Sequence, residues 1–237
     1  MFFYNGKGPL RRALQYFGLL LLPALFLMWP MISCGAEGQD LVKFRWAFAA
    51  LKQDGTDLRV ESIGNRLALK SEDQLKMMVE LESNCFVYVI HHSSQGAFTL
   101  MFPYSLKQLS DDYQQRRKYF IPDGDRWFEL DQHTGYETFY LLASPRRQEN
   151  LERLLQQYES TEPSKRAQVS AQLLDEISTL KQQHRQLASA AERPESIGGA
   201  VRGFEKAQGM NPPDISVIAR EISAQGFFAR TFTIDHQ

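Results

Sequence analysis

Two cysteines and five histidines are the residues of this 237-residue chain best suited to nucleophilic or metal chemistry. Cys85 precedes the adjacent pair His91 and His92 by a few residues, and a thiolate beside an imidazole is a nucleophile pair capable of hydrolysis through a covalent intermediate. Neighbouring side chains on a strand face opposite ways, however, so His91 and His92 cannot together grip one metal ion. A lone cysteine in an apolar run also serves as a small hydrophobe. His133, His184 and His236 complete no metal-ligand or triad spacing with them. The chain has no His-Glu-x-x-His zinc pattern and no Gly-x-Ser-x-Gly nucleophile elbow. The expectation is a non-enzyme without cofactor or metal. A hydrolase using Cys85 or His91/His92 is the alternative.

Three shorter patterns carry less chemistry. Asp123-Gly124-Asp125 is a fragment of a calcium loop that lacks the remaining carboxylates and the distal Glu, so it reads as a turn. Ser196-Ile197-Gly198-Gly199-Ala200-Val201-Arg202-Gly203 lacks the Gly-Lys-Ser/Thr ending with which a phosphate loop holds phosphate and metal. Arg116-Arg117-Lys118 is too short a basic run for a nucleic-acid footprint. Lys plus Arg at 27 against Asp plus Glu at 28, a net charge of −1, likewise argues against a nucleic-acid partner.

The N-terminus points to location. Lys7, Arg11 and Arg12 precede an apolar run over residues 17–32, which ends at Ser33-Cys34-Gly35-Ala36. Positive, apolar, then small is the order of a secretory signal, and Pro23 and Pro30 weaken an uninterrupted spanning helix. Met31-Ile32-Ser33-Cys34 resembles the lipobox of bacterial lipoproteins, in which the cysteine is lipidated and becomes the mature N-terminus; Met31 stands where Leu is usual. Cleavage after Ala36 and an uncleaved anchor remain alternatives, and all three send the body across the membrane. Cleavage before Cys34 removes three positive charges and no negative ones, leaving a mildly acidic body. By resemblance to lipoprotein sorting in Gram-negative bacteria, Gly35 after the cysteine implies the outer membrane.

The body must position any site, and most of it reads as strands. Phe44, Trp46 and Phe48 alternate with Arg45, Ala47 and Ala49, the period of a half-buried strand. Gln53-Asp54-Gly55 signals a turn, and residues 67–69 read as a short strand. Leu75, Met77, Val79 and Leu81 alternate with Lys76, Met78, Glu80 and Glu82. Ser83-Asn84 then leads into the apolar run Cys85-Phe86-Val87-Tyr88-Val89-Ile90, which predicts a hairpin whose second strand is central and whose Lys76 faces solvent. Further strands follow at residues 97–102, 119–121, 127–130 and 136–142. Residues 105–118 form a polar connection with room for a short helical turn. Many short strands with turn chemistry between them favour an antiparallel sandwich over a parallel sheet.

One ordered set of pieces stands out: Met77-Met78-Val79-Glu80-Leu81, the Cys85-to-Ile90 strand, Gly96, Leu100-Met101-Phe102-Pro103, Phe120-Ile121-Pro122, Trp127-Phe128-Glu129-Leu130 and Gly135-Tyr136-Glu137-Thr138-Phe139-Tyr140-Leu141-Leu142-Ala143-Ser144. With these, over residues 44–144, the chain resembles the bacterial domain of unknown function 4384 family. Cys85 and Tyr104 depart from the family pattern, where a polar residue and Asn are usual. The resemblance implies an envelope-associated all-β accessory domain with no established activity.

Beyond Ser144 the period changes. Leu151, Leu154, Leu155 and Tyr158 fit a short amphipathic helix, and Val169, Leu173, Ile177, Leu180 and Leu187 trace one face of a helix over about residues 164–190. That face either packs on the sheet or offers a partner-binding seam. Ile215, Val217 and Ala219, then Phe228, Arg230, Phe232 and Ile234 about the Ala224-Gln225-Gly226 turn, predict a terminal hairpin. The expected organisation is a signal peptide at 1–33, a linker at 34–40, a mainly β, antiparallel Ig-like or jelly-roll-like β-sandwich at 41–144, a helical segment at 145–190, a Gly/Pro-containing loop at 191–213 and a hairpin at 214–237 completing the sheet. The expected role is an outer-membrane lipoprotein facing the periplasm, held to the membrane through lipid on Cys34. It binds an unidentified envelope protein or ligand as an assembly module.

Overall fold

The computed structural model describes residues 41–54, 57–185 and 213–237. Its strands form two sheets. The first contains β1 (Leu41–Asp54), β2 (Asp57–Ser62), β4 (Gln74–Leu81), β7 (Lys118–Ile121), β8 (Phe128–Glu129) and β10 (Arg220–Gln225). The second runs in the order β3 (Arg66–Leu69), β11 (Phe228–His236), β9 (Gly135–Ser144), β5 (Phe86–His92) and β6 (Phe98–Phe102). All pairings are antiparallel except β3 with β11, which is parallel. The long β1 pairs along one edge with β10 and then β2, and along the other with β4.

The alternation read from the sequence sets the faces. Phe44, Trp46, Phe48, Met77 and Val79 of the first sheet meet Val87, Val89, Phe139, Leu141, Phe232 and Ile234 of the second in the sandwich core. Aromatic rings interlock there edge to face, with centroids of Phe48 and Phe139 5.1 Å apart and of Phe48 and Phe232 5.4 Å apart.

The opposite face of the second sheet is covered by helices. Tyr88, Ile90, Leu142 and Phe227 pack with Leu151, Leu155 and Tyr158 of one helix and with Leu173 and Ile177 of the next. A one-turn helix, α1 (Gln108–Asp111), lies in the polar connection; α2 spans Glu149–Ser160 and α3 Arg166–Arg185. Tyr88 donates its hydroxyl to Glu152 Oε1 of α2 at 2.6 Å, and Arg147 also pairs with that buried carboxylate. The apolar seam of α3 is thus spent on the sheet and on α2. No described helix is long and apolar enough to cross a membrane.

Four details correct the sequence reading. β4 and β5 do not form a hairpin: Glu82 and Ser83 donate their N–H groups to Lys43 O, prolonging the ladder with β1, and the chain then crosses to the other sheet. The terminal hairpin is likewise an arch, because β10 pairs with β1 and β11 with β9 and β3. Residues 215–218 form a 3-10 turn rather than a strand, capped by Asp214, whose carboxylate accepts from Ser216 N at 2.8 Å. Lys76 does not face solvent: it is only 4% exposed.

Candidate functional site

At one end of the sandwich the two sheets part around a cleft of about 330 Å³. Its walls include Leu75, Met101, Phe128, Leu130 and Phe139, and three histidines converge on it: His91, His133 and His236. They come from β5, from the loop before β9, and from the end of β11.

His91 lies on the core face of β5 by the same alternation that turns Val87 and Val89 inward. Its ring stacks on Phe139, centroids 4.7 Å apart, and its Nε2 is 2.6 Å from Glu137 Oε2. Glu137 is buried on β9, and its other oxygen accepts the Ser94 N–H at 3.1 Å. Burial pushes the Glu137 carboxyl up, but hydrogen bonds from His91 and Ser94 outweigh that and hold it below the ordinary glutamate value. The turn carrying Ser94 presses on the start of β9 at Gly135. There φ is 137°, and an added Cβ would stand 2.7 Å from Ser94 Cβ, so glycine is required.

The other two imidazoles are also anchored. His133 Nδ1 is 3.0 Å from Asp131 Oδ2, while the His133 N–H reaches Asp131 Oδ1 at 2.8 Å; these bonds lower the Asp131 carboxyl. His236, nearly inaccessible, has its Nε2 3.1 Å from Ser71 Oγ. Each ring thus has one nitrogen engaged by an oxygen of the protein, which fixes its orientation. Among the described residues no group of three or more His, Cys, Asp or Glu is arranged to hold a metal ion.

The residues singled out from sequence are dispersed. His92 faces away from His91 and stacks on Phe98, and burial lowers its imidazole below the ordinary value. Cys85 precedes β5 at the end opposite His91, roughly 20 Å away along an extended strand. It is buried, its Sγ–H approaches Lys43 O at 3.7 Å, and burial pushes its thiol up, which suppresses thiolate chemistry. The Asp123-Gly124-Asp125 turn takes a cation, but it is the protein's own: Lys76 Nζ donates to Gly124 O at 2.6 Å and to Arg126 O at 2.8 Å. Arg117 pairs with Asp112, and Lys118 donates to Ser216 Oγ. Cys34, residues 191–212 and the side chain of His184 lie outside the described residues.

The sequence reading missed Glu137, Asp131, Ser94 and Ser71. Glu137 carried a signal, because the period of β9 places it on the same face as Phe139 and Leu141, where a carboxylate is costly without a partner.

Residues 68–147 match the family model described as Domain of unknown function (DUF4384), which supports the resemblance read from the sequence. The matched stretch holds His91, His133, Glu137 and every other lining residue of the cleft named above except His236. No curated protein and no solved structure matches the chain.

Proposed function

We propose that this chain, with its DUF4384 domain at residues 68–147, is an exported, lipid-anchored accessory module of the bacterial cell envelope that binds a ligand or protein partner at the open end of its sandwich. The observation that carries the binding half is the cleft. Three imidazoles, each oriented by a carboxylate or hydroxyl, line a concave site with apolar walls, the usual character of a ligand pocket. The anchoring half rests on the positive flank, the apolar run and Ser33 before Cys34.

A photoreactive residue at Gln95, on the rim of the cleft, tests the binding half in intact cells against the same residue at Gln182 on the exposed side of α3. Adducts from position 95 that vanish in a Glu137→Gln background support the reading; equal labelling at both positions rejects it. For the anchor, Cys34→Ala should abolish lipid labelling and release the protein from membranes. A wild-type mature N-terminus at Glu37 without lipid rejects that half.

One observation favours a second reading, a hydrolase. The His91–Glu137 pair has the form of a general base with its orienting carboxylate. A folded His91→Ala variant that loses a measurable turnover would establish it, whereas the burial of Cys85 counts against the thiol version.

A further inference from the structure

Away from the cleft, one charge sits where the packing calls for an apolar side chain. Arg230 stands directly across from Leu141 and falls between Phe228 and Phe232 on the face of β11 that meets the sandwich core. The side chain is half-buried, and its guanidinium lies on the Phe232 ring, Cζ 5.0 Å from the centroid. Its Nε and Nη2 both donate to one neutral acceptor, Asn65 Oδ1, at 3.0 and 2.8 Å; among the described residues no carboxylate pairs with it and Nη1 makes no hydrogen bond. The neighbouring charge has the same sign. Arg220, opposite Trp46 on β10, falls on the core face of the other sheet, and burial together with that charge lowers the Arg230 pKa. A cation so placed ordinarily has an anionic partner.

The backbone beside Arg230 is open as well. β3 pairs only with Thr233–His236 of β11, and the Thr233 N–H, bonded to Asn65 O at 2.9 Å, marks the side on which β3 lies. By strand alternation Ala229 and Thr231 turn their N–H and C=O groups to that same side, where no described strand runs alongside them. Arg230 is roughly 20 Å along β11 from the cleft residue His236. An inward-pointing charge on an open edge turns away an apolar strand. It admits a strand that brings a carboxylate.

We infer that this edge receives an extended acidic segment of a partner protein, paired through the main chain of Ala229 and Thr231, with a Glu or Asp side chain on Arg230 and an apolar residue two positions away beside Phe228. In strand addition of this kind the main-chain bonds supply affinity and the side-chain contacts supply selectivity. The edge and the cleft are separate, so each stands or falls by its own measurement.

The test uses three blocked peptides of alternating Thr and Val that differ only in the central residue, Glu, Gln or Lys, titrated into the full chain in non-ionic detergent at low salt. The readouts are the Ala229 and Thr231 amides and the Arg230 Nε–H in NMR spectra. The Glu peptide should shift all three signals, slow exchange of the two amides and saturate at roughly tenfold lower concentration than the Gln peptide, with the Lys peptide weakest. Arg230→Lys should keep that order, and Arg230→Glu should reverse it in favour of the Lys peptide. Equal affinities for the three peptides, or an unchanged order in Arg230→Glu, overturn the charge match. If sodium acetate shifts the Arg230 signal while no peptide moves the two amides, the site holds a simple anion and strand pairing is overturned. If nothing binds, Arg230 only keeps strands off this edge and the inference fails; the comparison on the wild-type chain decides this even where a variant does not fold.

Discussion

Replacing Lys76 separates the period-two expectation from the structure. Strand alternation alone predicts that Lys76→Asp is harmless, yet Lys76 is 4% exposed and its ammonium donates to Gly124 O and Arg126 O, with the rings of Phe120 and Trp127 5.4 and 5.7 Å from Nζ. Burial lowers its pKa, opposed by Asp125, Asp123 and Asp214. Lys76→Met removes two charge-assisted hydrogen bonds worth about 1.5–3 kcal/mol each, but residues 123–126 are exposed, so the freed carbonyls take up water. Removing the ammonium also ends its desolvation cost, which leaves a net loss of about 1–3 kcal/mol. Lys76→Asp instead buries a carboxylate against two carbonyl oxygens and close to three aspartates, and should cost about 3–5 kcal/mol or more. Urea denaturation followed by tryptophan emission measures both, with Trp127 as a local reporter. Equal stability of the Met and Asp variants, within about 0.5 kcal/mol, would refute the account, because it would mean that the site tolerates either sign of charge.

Two further outcomes follow from the packing and from the cleft. Leu173→Ala, at a fully buried position of α3, should cost about 2–4 kcal/mol in urea, whereas Leu174→Ala, 39% exposed, should cost about 0.5 kcal/mol or less; similar values at both positions would mean that α3 projects rather than packs. The Glu137 carboxyl is depressed in the folded state, so its contribution is present above the ordinary glutamate pKa and lost as pH falls through the folded value. The wild-type Tm should therefore drop more steeply than that of Glu137→Gln below about pH 4, and parallel acid melts would contradict the ionised pair.

Most strands were legible from sequence, but β2 (Asp57–Ser62) was not, β10 lies at Arg220–Gln225 instead of over residues 215–219, and the partners of the strands were not legible at all. Period two in Phe44-Arg45-Trp46-Ala47-Phe48 states that a strand has a buried face, and the doubly apolar Cys85-to-Ile90 run states that both faces are covered. Neither pattern says which sheet lies alongside. A hairpin and an arch between sheets have the same short polar connection. At Ser83 the arch is selected by bonds to β1: Ser83 Oγ accepts the Lys43 N–H at 2.8 Å and donates to Leu41 O at 2.9 Å, contacts forty or more positions distant in the chain. Lys76 was misread because a charge at alternate positions signals a solvent face unless a distant loop supplies acceptors, as Gly124 and Arg126 do. The cleft was hidden for the same reason. His91, His133 and His236 share no local spacing and meet only because β5, β9 and β11 are neighbours in one sheet.

The placement of β10 and β11 sets an order of events. Each sheet recruits one of these strands, and β11 lies between β9 and β3 rather than at an edge. Until residues 220–236 emerge from the ribosome, β1 and β9 both present unpaired backbone, and β3 has no partner in its sheet. The sandwich therefore cannot close during synthesis of its first strands, because its decisive contacts are among the most distant along the chain. A nascent chain of this topology stays open until late in its synthesis. Such a state needs protection from aggregation until β10 and β11 are in place.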